Sequence, residues 1–490
     1  MPQAEQVAFD SAAGRWILLG CVLGSGVASL DATVVNVALP RLGADLGVDF
    51  AGLQWVLNGY TLSLASFILL GGALGDRFGR RRVFVVGVVW FAVASLLCAV
   101  AANIEMLVAA RVLQGVGGSL LTPGSLAILQ SSFRGKDRAR AIGAWSGFGG
   151  VTAAIGPFLG GYLVDVASWR WIFLINLPLA AVVVAVAVRH MPESLDPTAE
   201  GPVDVLGAVL GALGLATLTY GLIRPSWAFG LAGVAVLGLF LVSQRRGRYP
   251  MLPLDIFRSR QFSAANAVTF VLYAALGIVL FLIGLVLQMA LGYSPMEAGA
   301  ALLPITLVML LFSARSGALA QRIGPRLPMT FGPLVVAAAL LQMTRIEPGA
   351  SYPGVVLPAL LTFGGGLALT VAPLTATALA AAEQRHSGLA SGVNNAVARV
   401  GSLLAVAAVP LVAGIDPTVV VGADEIVAAF HRSMLFAAGL SVAAGALAYA
   451  TIRADVLEEP EAVEGVEVEE PTPCFHCGVE GAPLVAHADR

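Results

Sequence analysis

Charged residues are scarce in this sequence. Asp, Glu, Lys and Arg make up 12% of its 490 residues, whereas roughly 25% is typical of soluble globular domains. Lys136 is the only lysine, and the formal net charge is −2. This balance excludes an ordinary soluble domain and offers no basic surface, so we expect no nucleic-acid partner. Cysteine is also rare: the four residues are scattered as Cys21, Cys98, Cys474 and Cys477, and this spacing indicates no disulfide framework.

Two kinds of catalytic signal are absent as well. The sequence contains no phosphate-binding loop of the G-x-x-x-x-G-K-[ST] type and no nucleophile constellation. We therefore expect no enzyme activity, no ATP hydrolysis and no bound cofactor.

Long apolar runs dominate instead. Hydrophobic residues make up 58% of the chain, and a helix needs about 20 of them to cross a bilayer. Fourteen runs meet this need, which predicts an all-α integral membrane protein with 14 transmembrane helices. The first run carries Asp31 and is too long for a secretory signal, so we interpret it as a permanent span. The runs centre near Val27, Ala65, Val93, Gly118, Ala153, Ala181, Ala212, Val236, Gly277, Val308, Val335, Leu367, Val400 and Ser441.

The arginines predict the orientation of these spans. Loops with clustered positive charge alternate with loops that carry single arginines, and the clustered loops belong on the cytoplasmic side. An even number of spans then places both termini in the cytoplasm of a multi-pass protein in the cytoplasmic (inner) membrane. The clustered loops are Arg77 to Arg82, Arg134 to Arg140, Arg245 to Arg260 and Arg322 to Arg326.

The chain also repeats itself. GALGDRFGRR, Gly72 to Arg81, matches GALAQRIGPR, Gly317 to Arg326, at six of ten positions, and Gly143 to Gly156 aligns with Gly388 to Gly401 at the same spacing. This indicates two six-helix halves arranged as parallel repeats around two inserted helices, a 6 + 2 + 6 order. The predicted units are 1–190, 191–262, 263–454 and an acidic, disordered cytoplasmic tail at 455–490.

Four stretches have the form of known motifs: LDATVVNVALP from Leu30, the Gly72 to Arg81 loop, R-x-x-Q-G-x-G-G from Arg111, and GFGGVTAAIGPFLGG from Gly147. In this order and at these helix positions they resemble one family, the fourteen-helix drug:proton antiporters of the major facilitator superfamily. The resemblance implies the major facilitator fold, an antiport activity in which the proton is the coupling ion, and working by alternating access between two halves.

The first repeated loop is a candidate gating latch. Glycines allow close backbone approach there, and a carboxylate beside arginines can clamp neighbouring helix ends until a conformational change releases it. The alternative is that positive charge only anchors the loop inside. The latch candidates are Gly72, Asp76, Arg77, Gly79, Arg80 and Arg81.

Glycines in the fifth span form the candidate antiporter motif. They predict a helix that packs tightly at the interface between the halves, although small residues are also ordinary in membrane helix packing. The resemblance implies that this helix seals the pathway against proton leak. The residues are Gly147, Gly156, Pro157, Gly160 and Gly161.

Asp31 and Arg111 are candidates for proton coupling. At about 1.5 Å per residue, both lie at similar depths below the outer end of their spans, and charged groups at that depth face the protein interior or water. Such a pair is either a static ion pair or a site where the carboxylate gains and loses a proton as the arginine moves.

Other polar residues within spans are candidates for the substrate cavity. Asn395 and Arg399 are four residues apart and share a helix face, while Gln114, one turn from Arg111, could hold the arginine or contact substrate. Hydrogen bonding between helices is the alternative. The candidates are Asn36, Tyr60, Gln114, Asn394, Asn395 and Arg399, with Trp145, Phe148, Phe270, Tyr273 and Gln288 as further aromatic and amide candidates.

The tail contains a CFHC stretch, and its potential zinc ligands are Cys474, His476, Cys477 and His487. Structural zinc sites usually close over a longer folded segment, so we predict no metal site.

The function predicted from the sequence is a proton-coupled antiporter that exports hydrophobic small molecules or drugs. Its partners are then a small-molecule substrate and the lipid bilayer, and we expect a monomer. One alternative is a dedicated exporter of a single metabolite, antibiotic or lipid. Another, from a different class, is a membrane receptor or scaffold that acts through its tail.

Overall fold

The computed structural model describes residues 7–196, 201–382 and 387–457, and this part of the chain is built from helices with no strand. The α-helices are α1 (Ala12–Leu46), α2 (Phe50–Phe78), α3 (Arg80–Ala99), α4 (Ile104–Ser132), α5 (Gly135–Val166), α6 (Trp171–Leu174), α7 (Asn176–His190), α8 (Val205–Ile223), α9 (Trp227–Arg246), α10 (Arg260–Met289), α11 (Pro295–Ala301), α12 (Leu303–Ile323), α13 (Arg326–Met343), α14 (Leu357–Ala380), α15 (Ser387–Ala407), α16 (Val409–Ala413) and α17 (Ala423–Thr451).

Among the described residues, thirteen helical segments are long and apolar enough to cross a membrane. Each coincides with one of the predicted runs, and three of them join a short helix to a longer one: Trp171–His190, Pro295–Ile323 and Tyr352–Ala380. The run centred near Val400 forms α15, which is not among the thirteen. The all-helical membrane fold is therefore confirmed, and thirteen spans are supported by length and composition.

Local capping explains where the first helices begin and end. Ser11 accepts a hydrogen bond from the Gly14 amide at the start of α1, and Asp49 accepts one from Gly52 at the start of α2. Gly47 ends α1 at φ 62°, a left-handed conformation that glycine adopts without the steric cost of a Cβ atom. The stretch LDATVVNVALP thus lies inside one continuous 35-residue helix.

The long helices fall into two sets with matching contacts. In the first set, α1 packs against α5 and α7, and α4 packs against α2 and α3. In the second set, α10 packs against α15 and α17, and α14 packs against α12 and α13. The same order of partners in both sets is the arrangement expected if the chain contains a structural repeat.

The two sets meet closely at one end of the bundle, which we call the closed end. It contains the α1–α2 connection, the last turns of α5, helix α11 and the segment after α16. Here the Met296 amide donates to Asp165 Oδ2 at 2.8 Å, Gln288 Nε2 donates to the Val37 carbonyl at 2.8 Å, and the Ala51 amide donates to the Pro417 carbonyl at 2.9 Å. These bonds join residues of both sets.

The hairpin of α8 and α9 lies beside the two sets. Helix α8 packs against both α2 and α15, where Ile223 joins Ala51 and Ala407 in a small buried cluster. Helix α9 exposes large apolar side chains, including Trp227 at 90% and Leu231 at 69%. Since apolar surface of this extent suits lipid, α8 covers a seam between the sets and α9 forms the outer layer.

Candidate functional site

A buried polar cluster lies inside the first set of helices. We call it the Asp31 cluster; its members are Asp31 from α1, Ser95 from α3, Arg111 and Gln114 from α4, and Asn176 from α7, and each side chain is at most 1% exposed. Five polar side chains from four helices therefore share a water-excluded space.

Asp31 is the hub of this cluster. Arg111 Nη1 donates to its Oδ2 atom, while Gln114 Nε2 donates to Oδ1 at 2.8 Å and Asn176 Nδ2 donates to Oδ1 at 3.0 Å. Ser95 Oγ accepts from both amides, at 2.8 and 3.3 Å. The carboxylate therefore accepts hydrogen bonds from three side-chain donors, and both of its oxygens have partners.

Arg111 is held from several directions. Its Nε donates to the Val56 carbonyl at 3.1 Å, and its Nη1 also donates to Gln114 Oε1 at 2.6 Å. The guanidinium carbon lies 4.4 Å from the Tyr60 ring centroid and 5.8 Å from that of Phe173, within the range of cation–π attraction. These additional partners fix the arginine independently of the carboxylate.

The glycines that follow Arg111 explain how α4 reaches this position. A Cβ atom at Gly115 would lie 2.0 Å from Ser63 Oγ, and one at Gly117 would lie 2.7 Å from the Phe91 backbone nitrogen. Only glycine permits such contacts, so the motif lets α4 insert between α2 and α3. This close packing brings Arg111 to Asp31.

A central cavity of about 340 Å³ lies between the two sets, within the range of about 300–1,000 Å³ typical of small-molecule sites. Its wall includes Ala32, the chain neighbour of Asp31, although Asp31 itself is fully buried. The cavity therefore adjoins the Asp31 cluster but is separated from its carboxylate. Its polar wall residues are Asn36, Asn58, Thr61, Tyr273, Thr375, Asn394, Asn395, Arg399 and Ser402.

Four of the six predicted cavity residues are on this wall. Asn394 donates to Thr269 Oγ1 at 2.9 Å and to Asn266 at 3.2 Å, so it also joins α15 to α10. Asn36 and Asn395 each donate to the carbonyl one turn before them, at 3.1 Å. Arg399 is the fourth.

The other two predicted cavity residues lie behind the wall. Gln114 is fully buried in the Asp31 cluster, and Tyr60 is 2% exposed beneath Arg111. The sequence placed them on the right helices, but the rotation of those helices directs both side chains away from the cavity. Of the further candidates, Tyr273 lines the cavity, Gln288 joins α10 to α1, and Trp145 Nε1 donates to Ser25 Oγ at 2.9 Å. Phe148 and Phe270 are exposed, at 54% and 38%, and neither belongs to the cavity wall.

The latch candidates lie together at the α2–α3 connection. Asp76 and Arg80 form an ion pair at 2.8 Å, and the Arg81 amide donates to Glu193 Oε1 at 3.0 Å. Gly79 has φ 111°, and a Cβ there would lie 2.7 Å from the same Glu193 oxygen. The connection is thus tied to the segment after α7 in its own set of helices. Gly72 has only Pro123 near it, and Arg77 lies over the Phe78 ring at 5.7 Å.

The antiporter-motif residues of α5 divide into two groups. Gly156 and Gly160 pack on α1, since Cβ atoms there would lie 1.9 Å from Thr33 and 3.0 Å from Val34. At the closed end, Gly161 packs on the Pro295 carbonyl of α11, and the Pro157 carbonyl packs on Gly299. Gly147, on the other half of α5, has no atom of the described residues within 4 Å of a Cβ position. The motif therefore packs α5 on α1 and on α11 only along the half of α5 that leads to the closed end.

Sequence reasoning missed Ser95, Asn176 and Glu193. Asn176 interrupts an apolar run and could have been identified as a second intramembrane polar group, but nothing in the sequence aligns it with Asp31. Ser95 and Glu193 carry no local signal, because their partners come from helices distant in the chain. The four potential ligands in the tail, Cys474, His476, Cys477 and His487, lie outside the described residues.

The similarity to known proteins extends over most of the chain. The Major Facilitator Superfamily model matches residues 21–406. A probable actinorhodin transporter of Streptomyces coelicolor is 37% identical, with 81% of this chain and 72% of that protein aligned. A methylenomycin A resistance protein of Bacillus subtilis is 36% identical, covering 84% and 90%. The multidrug resistance protein Stp of Mycobacterium tuberculosis is 34% identical, covering 79% and 73%.

Solved structures with the same fold are more distant in sequence. A crystal structure of a D-xylose-proton symporter aligns with TM-score 0.65 and 16% identity, over 91% of this chain and 99% of that one. The POT family transporter PepTSo aligns with TM-score 0.66 and 18% identity, over 89% and 97%. The helical fold, the motifs and these matches lead to one conclusion: this chain belongs to the Major Facilitator Superfamily of multi-pass membrane transporters.

Proposed function

We propose that this protein is a proton-coupled antiporter that exports hydrophobic small molecules or drugs across the cytoplasmic membrane by alternating access. The observation that carries the proposal is the position of the Asp31 cluster, a buried carboxylate beside a central cavity between two sets of helices. A chargeable group next to a substrate site is what coupling requires, because proton binding must change the energy of the substrate-bound states.

The membrane arrangement in this proposal has fourteen spans in the order six, two and six. The matching contacts within the two sets favour this order, with α8 and α9 as the inserted pair and α15 as the fourteenth span. The clustered arginines favour a cytoplasmic position for both termini. The closed end then faces outward.

The conformation is consistent with one half of an alternating-access cycle. Hydrogen bonds between the two sets concentrate at the closed end. In the cytoplasmic half of α5, by contrast, Gly143, Gly147 and Gly150 have no described atom within 4 Å of a Cβ position. Opening the outer side requires α5 to separate from α11, which parts the backbone contacts at Gly161 and Gly299 and breaks the hydrogen bond from Met296 to Asp165.

Asn176 gives the cluster a means of accommodating a proton. Its Oδ1 atom is buried without a hydrogen-bond partner, while its Nδ2 donates to Asp31. If Asp31 is protonated, rotation of this amide turns Oδ1 toward the new hydroxyl donor. Both protonation states of the carboxyl group then have satisfied partners, as a site that cycles between them needs.

Protons are the only coupling species in this proposal, and the protein acts as a monomer in the lipid bilayer without a cofactor or nucleic-acid partner. The names of the relatives favour antibiotics as substrates, and several refer to a single compound. This supports dedicated export of one antibiotic as the second candidate.

The test uses the full chain in proteoliposomes with an imposed pH gradient. Transport of a compound panel that includes actinorhodin, methylenomycin A, tetracenomycin C and common drugs should depend on the gradient and collapse with a protonophore. A single transported compound would favour the dedicated exporter. If the transport of every compound is independent of the pH gradient, antiport is refuted. Removal of residues 460–490 should leave transport intact, whereas a receptor or scaffold acting through its tail would lose function.

A further inference from the structure

The central cavity has an unusual charge distribution. Among the described residues, Arg399 is the only charged residue on its wall, and no Asp or Glu lines it. Within the described residues Arg399 forms no ion pair, and its buried Nε atom has no hydrogen-bond partner. The buried Nδ2 atom of Asn58, on the α2 part of the wall, is also without a partner among the described residues. The unpaired buried polar atoms on the wall are therefore both N–H donors.

We propose that this cavity selects lipophilic anions, and that Arg399 binds the carboxylate or ionised acidic hydroxyl of the exported compound. This inference rests on the proposed export function and specifies its substrate class. Asn58 lines the same cavity and supplies a second unpaired donor, so the wall offers two N–H groups to an oxygen-rich anionic compound.

Burial explains why the arginine needs such a partner. An unpaired guanidinium at membrane depth is costly, and its fixed fork of N–H groups matches a carboxylate in bidentate geometry. Asp31, which is next in sequence to the lining residue Ala32, already accepts hydrogen bonds from three donors. The substrate is thus the available source of negative charge for Arg399.

The rest of the wall supplies the remaining specificity. Leu57, Leu280, Phe281 and Val406 provide apolar surface, which suits an aromatic or aliphatic body. A lipophilic cation would gain the same apolar contact but would meet a like charge and no carboxylate. The wall therefore favours anions over both neutral and cationic compounds of equal size.

Binding to the purified full-length protein in detergent tests this selectivity with a matched set of probes: naphthoate, naphthamide, which has the same ring and no charge, and the lipophilic cation tetraphenylphosphonium. We expect naphthoate to bind roughly tenfold more tightly than naphthamide, because hydrogen bonds to charged groups are the stronger class. Arg399→Gln should remove the difference, and Arg399→Lys should retain part of it. Arg315→Gln, which removes an exposed arginine from α12 outside the cavity wall, is the control and should behave as wild type.

Each outcome decides the proposal. Equal or tighter binding of naphthamide or the cation to wild-type protein overturns it, as does an anion preference that survives Arg399→Gln. Unchanged naphthamide binding by Arg399→Gln shows that the variant is folded. If the variant does not fold, the comparison of naphthoate, naphthamide and the cation on wild-type protein still decides the proposal.

Proteoliposome transport separates this result from the proposed function. An Arg399-dependent anion preference without gradient-driven transport of any compound would refute antiport and leave anion recognition standing. Gradient-driven transport without an anion preference would support antiport and refute anion recognition by Arg399.

Discussion

Replacing Asp31 by Asn tests the proton-coupling role most directly. The substitution keeps the size of the side chain and removes its charge and its titration. Arg111 then loses its ionic partner, and one of the three donors now facing Asp31 meets an amide N–H group instead of an oxygen. If Asp31 carries the proton, the variant should still fold and bind substrate, but pH-gradient-driven transport should be lost.

The structure sets the size of the stability loss. Breaking a buried ion pair by removing one partner typically costs about 3–5 kcal/mol, and two unit charges about 4 Å apart interact by about 4 kcal/mol at an effective dielectric constant near 20. Arg111 keeps the Val56 carbonyl, Gln114 Oε1 and the Tyr60 ring, and rotation of Asn176 can satisfy the new amide. We therefore expect the lower limit, about 3 kcal/mol.

This loss corresponds to a small change in melting temperature. At about 2.1 cal/mol/K per residue, a chain of 490 residues has an unfolding entropy of about 1 kcal/mol/K, so Tm should fall by about 3 °C. Asp45→Asn is the matched control, because Asp45 lies on the same helix α1 with a side chain 43% exposed and outside the Asp31 cluster.

Two measurements on the same preparation distinguish the roles: thermal unfolding with substrate binding in detergent, and gradient-driven uptake into inverted vesicles. Normal transport by Asp31→Asn would refute the proton role, and Asp165 at the closed end would become the next candidate. Loss of both folding and binding would support a static ion pair instead.

Four further predictions follow from other parts of the structure. Asn176→Leu leaves Asp31 with two donors and removes the amide oxygen that would accept from its protonated form. The pH range over which transport occurs should therefore narrow, while substrate affinity stays near wild type. An unchanged pH profile would contradict the proposed rotation of the amide. Gly161→Leu would force the α5–α11 contact apart, so cysteine-labelling of the outer side should increase and coupled transport should fall. Glu193→Gln weakens the attachment of the α2–α3 connection, and we expect slower transport with unchanged binding; a change in binding alone would argue against a gating role. Partial burial raises the pKa of Asp204, but hydrogen bonds from Gln244 and two backbone amides outweigh this and lower it. The contribution of Asp204 to folding stability is therefore complete above the ordinary aspartate pKa range and is lost as the pH falls through the lowered folded-state pKa. Asp204→Ala should lower stability at neutral pH by about 0.5–2 kcal/mol, become as stable as wild type in acid, and leave coupling intact.

The sequence by itself determined the class of protein and most of its helices. Apolar runs of membrane length, scarce charge and glycine at fixed spacings act locally along the chain, so thirteen spans and the family could be identified without a structure. The pairing of Asp31 with Arg111 was also accessible, because the rise per residue fixes depth along a helix.

The tertiary structure decided which side of each helix faces which neighbour. Gln114 and Tyr60 lie on the expected helices, but Gln114 belongs to the Asp31 cluster, Tyr60 lies beneath Arg111, and neither is on the cavity wall. Asn176 and Glu193 acquired their roles only when helices distant in the chain came together. Helix rotation and inter-helix contacts depend on the packing of many side chains at once, which no local pattern encodes. For the same reason, only the folded chain reveals that Arg399 lines the cavity and that, within the described residues, its Nε atom has no hydrogen-bond partner.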